Sequence, residues 1–163
     1  AICAHSRFAC PQARSPDTGI KTGPCGDDVD DFSGAVTTIA PGPLTIHLKE
    51  SIAHTGAPWR ISLSSDGSDS GACDLLDHIP HDDTSNPTFG DESTYHSLYV
   101  TIDVPDVACD RCSLHMSNPM TDKIGTDGAP TGIGCTEPGT CFSVYYSCTK
   151  PLRITGTTPR GSW

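Results

Sequence analysis

Pro43-Leu44-Thr45-Ile46-His47-Leu48-Lys49 alternates strictly: Leu44, Ile46 and Leu48 share one face, and Thr45, His47 and Lys49 share the other. A period of two belongs to an extended strand with one buried and one wet face. The same alternation sets Trp59, Ile61 and Leu63 against Arg60 and Ser62, and Leu98, Val100, Ile102 and Val104 against Tyr99, Thr101 and Asp103. Shorter apolar runs predict further strands over 35–39, 113–116, 142–147 and 152–155. No window carries a helical stripe. Short strands with one polar face each, separated by turn-rich segments, predict an all-β chain. The expected architecture is an antiparallel immunoglobulin- or fibronectin-like β-sandwich with long loops. The stretch 64–94, rich in Ser, Asp, Gly and Pro, is expected to be a surface excursion with at most a short helix near 73–78.

A chain of 163 residues suits one domain with one core. No apolar run is long enough to span a bilayer. The formal net charge of −10 argues against nucleic acid, whose phosphates call for Lys and Arg. It argues equally against strongly anionic polysaccharides and leaves neutral polymers open. Nine cysteines, eight once Cys3 is set aside, imply an oxidising compartment, the periplasm or the cell exterior, and hence a secreted protein. The odd one out is Cys3: if Ala1 to Ala4 are the remnant of a signal peptide cleaved after Ala4, an even set remains. The domain then runs over 5–157, and 158–163 reads as a C-terminal tail or cloning scar. Sequence does not fix disulfide connectivity, but spacing suggests local bridges for Cys109 with Cys112 and Cys135 with Cys141. Cys10 with Cys25 would close the N-terminal loop, leaving Cys73 to join Cys148. Amid so many cysteines, the Cys109/Cys112 pair reads as a structural disulfide and not as a redox dithiol.

Cleavage after Ala4 makes His5 terminal, and a terminal histidine offers two nitrogens at once, the α-amine and the ring Nδ1. With the imidazole of His54 it would form a T-shaped, three-nitrogen site, and imidazole suits copper. The run Phe142-Ser143-Val144-Tyr145-Tyr146-Ser147-Cys148 contributes an aromatic; alternation sends Tyr145 and Tyr146 to opposite faces, so one of them faces the site. His78-Ile79-Pro80-His81-Asp82-Asp83 reads as a solvated acidic loop, because the proline breaks any helical face on which ligands would converge. His47 and His96 are expected to face solvent, and His115 to be a packed or half-exposed strand residue. There is no Gly-rich phosphate loop and no Gly-x-Ser-x-Gly turn, and the carboxylates are too scattered for a glycosidase pair.

His5-Ser6-Arg7-Phe8-Ala9-Cys10-Pro11-Gln12-Ala13-Arg14-Ser15 resembles the mature start of lytic polysaccharide monooxygenases. Ala53-His54-Thr55-Gly56-Ala57-Pro58-Trp59-Arg60-Ile61 is similar to the family segment that carries the second copper histidine, and Cys109-x-x-Cys112-Ser-Leu to its double-cysteine strand. The run from Phe142 to Cys148 is similar to the terminal strand with the axial aromatic, and counting back from Cys148 against that pattern selects Tyr145, with Tyr146 in reserve. The resemblance extends from His5 to about Thr155 and is closest to a little-characterised, single-domain branch. Two departures stand out: Ser143 replaces the usual Gln or Glu, and Thr149-Lys150-Pro151 replaces Ala-Asp-Val.

The resemblance implies one copper held by His5 and His54, with Tyr145 axial. It also implies an external electron donor, small molecule or protein, and oxygen or hydrogen peroxide as co-substrate. The implied activity of this secreted monomer is oxidative cleavage, at C1 or C4, of an insoluble neutral polysaccharide such as chitin or cellulose. Tyr95 or Tyr99 would be the stacking residue on a flat sheet surface. The alternative is an LPMO-like protein that captures copper without cleaving anything, and a third reading is a carbohydrate-binding sandwich with no metal.

Overall fold

The computed structural model describes residues 5–26, 30–67, 72–120 and 144–162. Among these described residues nine strands follow in chain order: β1 (Ser6–Cys10), β2 (Thr37–Ile39), β3 (Gly42–Glu50), β4 (Trp59–Ser64), β5 (Cys73–Ile79), β6 (His96–Val104), β7 (Ala108–Pro119), β8 (Val144–Cys148) and β9 (Leu152–Thr155). They form a three-stranded sheet in the order β1-β3-β6 and a larger one in the order β2-β9-β7-β4-β5, with β8 also paired to β7. All pairings are antiparallel except β2 with β9. The long β7 organises the larger sheet: β4 lies along one edge, and β9 and β8 divide the other.

The alternating residues do what their period requires. Ile46, Leu48, Ile102 and Phe8 of the smaller sheet meet Trp59, Ile61, Leu63, Leu114, Met116, Leu152 and Ile154 of the larger one, all buried in one cluster. Burying such a side chain contributes about 1.5–3 kcal/mol, so this interface is what holds the two layers together. In β7 both faces are buried from Cys112 to Met116. Part of the outward face is covered by the N-terminal loop, where Cys25 reaches His115 (Sγ to Nε2 3.7 Å).

The expected strands in 35–39, 43–49, 59–63, 98–104, 113–116 and 152–155 are all present, and 142–147 is represented by β8. The short helix expected near 73–78 is instead strand β5, an edge strand whose pairing to β4 shifts register twice. Those irregularities break the alternation that marks a strand. The 158–163 segment is not wholly detached: the Ala108 amide donates to the Thr158 carbonyl (2.7 Å).

The long-range disulfide pairing differs from expectation. Cys25 bonds Cys148 across 123 positions, and Cys109 bonds Cys112. Cys10 and Cys73 are exposed and form no disulfide among the described residues, while Cys135 and Cys141 lie outside them. Topology gives the reason for Cys73. Its strand β5 is separated from β8, which carries Cys148, by β4 and β7. Three strand spacings amount to about 14 Å, twice the ~7 Å between Cα atoms that a disulfide can span. Cys25 needs only to fold its loop over β8, and the bridge ties the segment after β1 to the strand that carries Tyr145.

Candidate metal centre

β1 pairs β3 antiparallel with Ser6 opposite Glu50, so the residue before β1 lies where the chain leaves β3. The Ser51 amide donates to the His5 carbonyl (2.7 Å), and the His5 nitrogen donates to the Thr18 carbonyl (2.7 Å). His5 is thereby fastened by its backbone on two sides and is buried. His54 follows in a tight turn closed by the Ala57 amide on the His54 carbonyl (3.0 Å). The third position of that turn is Gly56 with φ +75°, a conformation open to glycine and strained for other residues. Beyond the turn, Asn118 donates to the Ala57 and Pro58 carbonyls (3.2 and 2.8 Å).

The two imidazoles meet. Nε2 of His5 lies 2.7 Å from Nε2 of His54, and the rings stack with centroids 4.5 Å apart. Tyr145 stacks on the His5 ring at 3.5 Å and packs with buried Ala57 and Met120. The Lys21 ammonium lies 5.3 Å from the centre of the Tyr145 ring. Tyr146 is directed elsewhere, with its ring so close to Gly23 that a Cβ there would meet it at 2.9 Å. His5, His54 and Tyr145 thus converge, and Tyr146 does not join them. Ser143 lies outside the described residues.

On donor chemistry the site fits a copper ion: two imidazole nitrogens already face each other at 2.7 Å, and imidazole suits copper. One detail differs from the chelate implied by the sequence. The His5 nitrogen facing His54 is Nε2, whereas a chelate with the α-amine uses Nδ1, so the ring has to turn over to close it.

A second cluster lies behind this one, where the sequence suggested solvated residues. The His81 side chain is 1% exposed and Glu50 3%. His81 Nε2 lies 2.7 Å from Glu50 Oε1, and Nδ1 lies 2.9 Å from Asp83 Oδ1. The Ser85 hydroxyl donates to Glu50 Oε2 (2.8 Å), and Trp59 stacks on the His81 ring at 5.2 Å. The Gly56 amide donates to Asp83 Oδ1 (2.8 Å) and, with the His81 ring, holds that carboxyl below the ordinary aspartate value. The signal was in β3: alternation through Leu44, Ile46 and Leu48, carried one step on, places Glu50 inward. Neighbouring His78 keeps the solvated character expected of it, with its side chain 85% exposed. His96 is partly buried near Asp82, and His47 stacks on exposed Tyr99 and bonds Ser97. His115 is packed as a buried strand residue. Its ring nitrogen, Cys25 and Cys148 form a metal-type cluster, but the two sulfurs are bonded to each other and offer no thiolate.

No protein-family profile matches the chain, and no curated protein matches it in sequence. Solved structures do. A catalytic domain of an LPMO from Listeria monocytogenes superposes with a TM-score of 0.51 at 12% identity, covering 93% of this chain and 100% of that one. A chitin-binding domain from Burkholderia pseudomallei gives 0.50 at 12% identity, covering 94% and 100%. A lytic polysaccharide monooxygenase important for chitin utilization in Cellvibrio japonicus gives 0.45 at 13% identity, and the match spans 73% of this chain but only 54% of that one. The first two establish the fold: this chain shares their β-sandwich.

Proposed function

We propose that this chain is a secreted copper protein of the lytic polysaccharide monooxygenase type. In this reading, processing after Ala4 makes His5 the first residue. The observation that carries it is the meeting of His5 and His54 at 2.7 Å beneath Tyr145. His5 would hold copper by its amine and ring and His54 by Nε2, with Tyr145 covering the His5 ring. Bound copper supplies one-electron chemistry with oxygen or hydrogen peroxide, which in this reading ends in cleavage of a glycosidic bond at C1 or C4.

The residues around the site have separable tasks. Thr18 and Ser51 hold the His5 backbone; an amine keeps protons for the Thr18 carbonyl while its lone pair turns to the metal. The aromatic face of Tyr145, with Ala57 and Met120, keeps water from one side of the His5 ring. Chitin is the first polymer to test, because a structure that shares the fold is a chitin-binding domain.

Protein beginning at His5 should bind one Cu(II) tightly, whereas protein retaining Ala1–Ala4 should bind far more weakly, because an amide nitrogen cannot chelate as an amine does. Calorimetry on both forms decides this, and equal affinities would refute the site. Reductant-dependent release of oxidised oligosaccharides from chitin or cellulose then separates cleavage from copper capture: tight binding with no release from any polymer supports capture.

A further inference from the structure

Two separate segments carry the candidate ligands, and one buried group spans them. On the His5 side, Glu50 lies opposite Ser6, and the next residue, Ser51, holds the His5 carbonyl. On the His54 side, Asp83 Oδ1 accepts the Gly56 amide, two residues beyond His54. His81 lies between, with Nε2 on Glu50 and Nδ1 on Asp83. Both ring nitrogens are therefore engaged, one with each carboxyl group. Its ring is further held by Trp59, whose Nε1 donates to the Ser6 hydroxyl (3.2 Å). The contacts therefore close a circuit from the start of β1, through Glu50 or Trp59, to His81, Asp83 and the His54 turn.

We propose that His81 and Asp83 are positioning residues that set the His54 turn against the His5 segment, and so fix the spacing of the two imidazoles. This rests on the copper reading above for its purpose, but not for its geometry. Asp83 is the point at which to test it. Its side chain is 54% exposed, so its removal should disturb the fold little, while it is the group that joins the circuit to the turn.

The experiment uses protein beginning at His5, with Asp83→Ala, Asp83→Asn as the conservative rescue, and Asp91→Ala as control. Asp91 caps an exposed turn in the same manner, by accepting from the Ser93 amide and hydroxyl. Three quantities are read: hydrogen exchange of the Gly56 amide in metal-free protein, Cu(II) affinity with the electron paramagnetic resonance spectrum, and the thermal midpoint. Asp83→Ala should speed Gly56 exchange, weaken copper binding about tenfold, the low end for residues that orient a metal ligand from behind, and alter the spectrum. Its midpoint should match that of Asp91→Ala. Asp83→Asn should restore most of both signals, because its amide oxygen still accepts from Gly56. Unchanged Gly56 exchange, or an equal loss of copper affinity in Asp91→Ala, would overturn the proposal. If unsubstituted protein binds no copper, the copper reading fails. The positioning claim is then decided by Gly56 exchange and the His54 ring nitrogen shifts in metal-free protein: a shift in both on Asp83→Ala supports it, and no change overturns it.

Discussion

Replacing His81 by alanine should cost this fold a large part of its stability, and the structure says why. The His81 and Glu50 side chains are 1% and 3% exposed, and their bond is 2.7 Å long. With the imidazole gone, the Glu50 carboxylate keeps the Ser85 hydroxyl but has lost its ring partner in a site water does not reach. Breaking a buried pair by removing one member costs about 3–5 kcal/mol, because the remaining charge stays desolvated. Against the roughly 5–15 kcal/mol that holds a domain of this kind together, that brings His81→Ala near the edge of unfolding. Glu50→Gln, which keeps the shape and an acceptor for the ring, should lose only about 1.5–3 kcal/mol, the worth of a charge-assisted hydrogen bond. Replacing both residues by leucine should recover much of the loss, since no charge is then left buried. Guanidinium denaturation followed by fluorescence of Trp59, which lies against the His81 ring, measures all three. A loss below about 1 kcal/mol for His81→Ala would refute the reasoning, as would a double variant whose loss is the sum of the single ones.

Two further outcomes are open to direct measurement. The Cys25–Cys148 bridge closes a loop of 123 positions and the Cys109–Cys112 bridge one of 3. On chain entropy alone, replacing the first pair by serine should cost about 5 kcal/mol and the second about 2, read as the difference in denaturation midpoints; equal losses would contradict the pairing. Asp77 accepts two bonds from the Arg60 guanidinium, which, as the largest cause, lowers its pKa to about 2. A depressed acid favours the folded state above its ordinary value and loses that preference as pH falls through about 2. A carboxyl titration by magnetic resonance should therefore place Asp77 near 2, moving up toward the ordinary aspartate value in Arg60→Ala; a midpoint indifferent to Arg60 would count against this cause.

What could be read from the sequence divides along physical lines. Strands β3, β4 and β6 repeat their apolar residues every second position without interruption, and the buried faces are where that period puts them. β1 was not legible because Phe8 is its one large apolar side chain, and β5 because its register shifts scramble the pattern. The two tyrosines of β8 could be separated by alternation but not assigned by it. The contact that turns Tyr146 away is with Gly23, in a loop whose path no periodicity reports. Glu50 was hidden by its own polarity: a carboxylate after Leu48 looks like the end of a strand, although the period points it inward. Its partner His81 comes from a loop that folds back from β5, and the composition of that loop describes its exposed residues, not the one imidazole it buries.

The meeting of His5 and His54 follows from register more than from any local signal. They are 49 positions apart, but antiparallel pairing of β1 with β3 sets Ser6 opposite Glu50. The chain leaving Glu50 must therefore begin its turn beside the residue that precedes Ser6. At about 3.3 Å per residue, the four residues from Glu50 to His54 span at most about 13 Å, enough for the turn to carry a histidine at that offset over His5. Register thus brings the rings to one place, but it does not fix their separation, because a turn containing Gly56 can adjust without disturbing a strand. Fixing that distance takes contacts at the turn itself, and the structure supplies them from two sides: Asn118 on the Ala57 and Pro58 carbonyls, and Asp83 on the Gly56 amide. The sheet accounts for why these two histidines meet, and the side chains around the turn account for how closely.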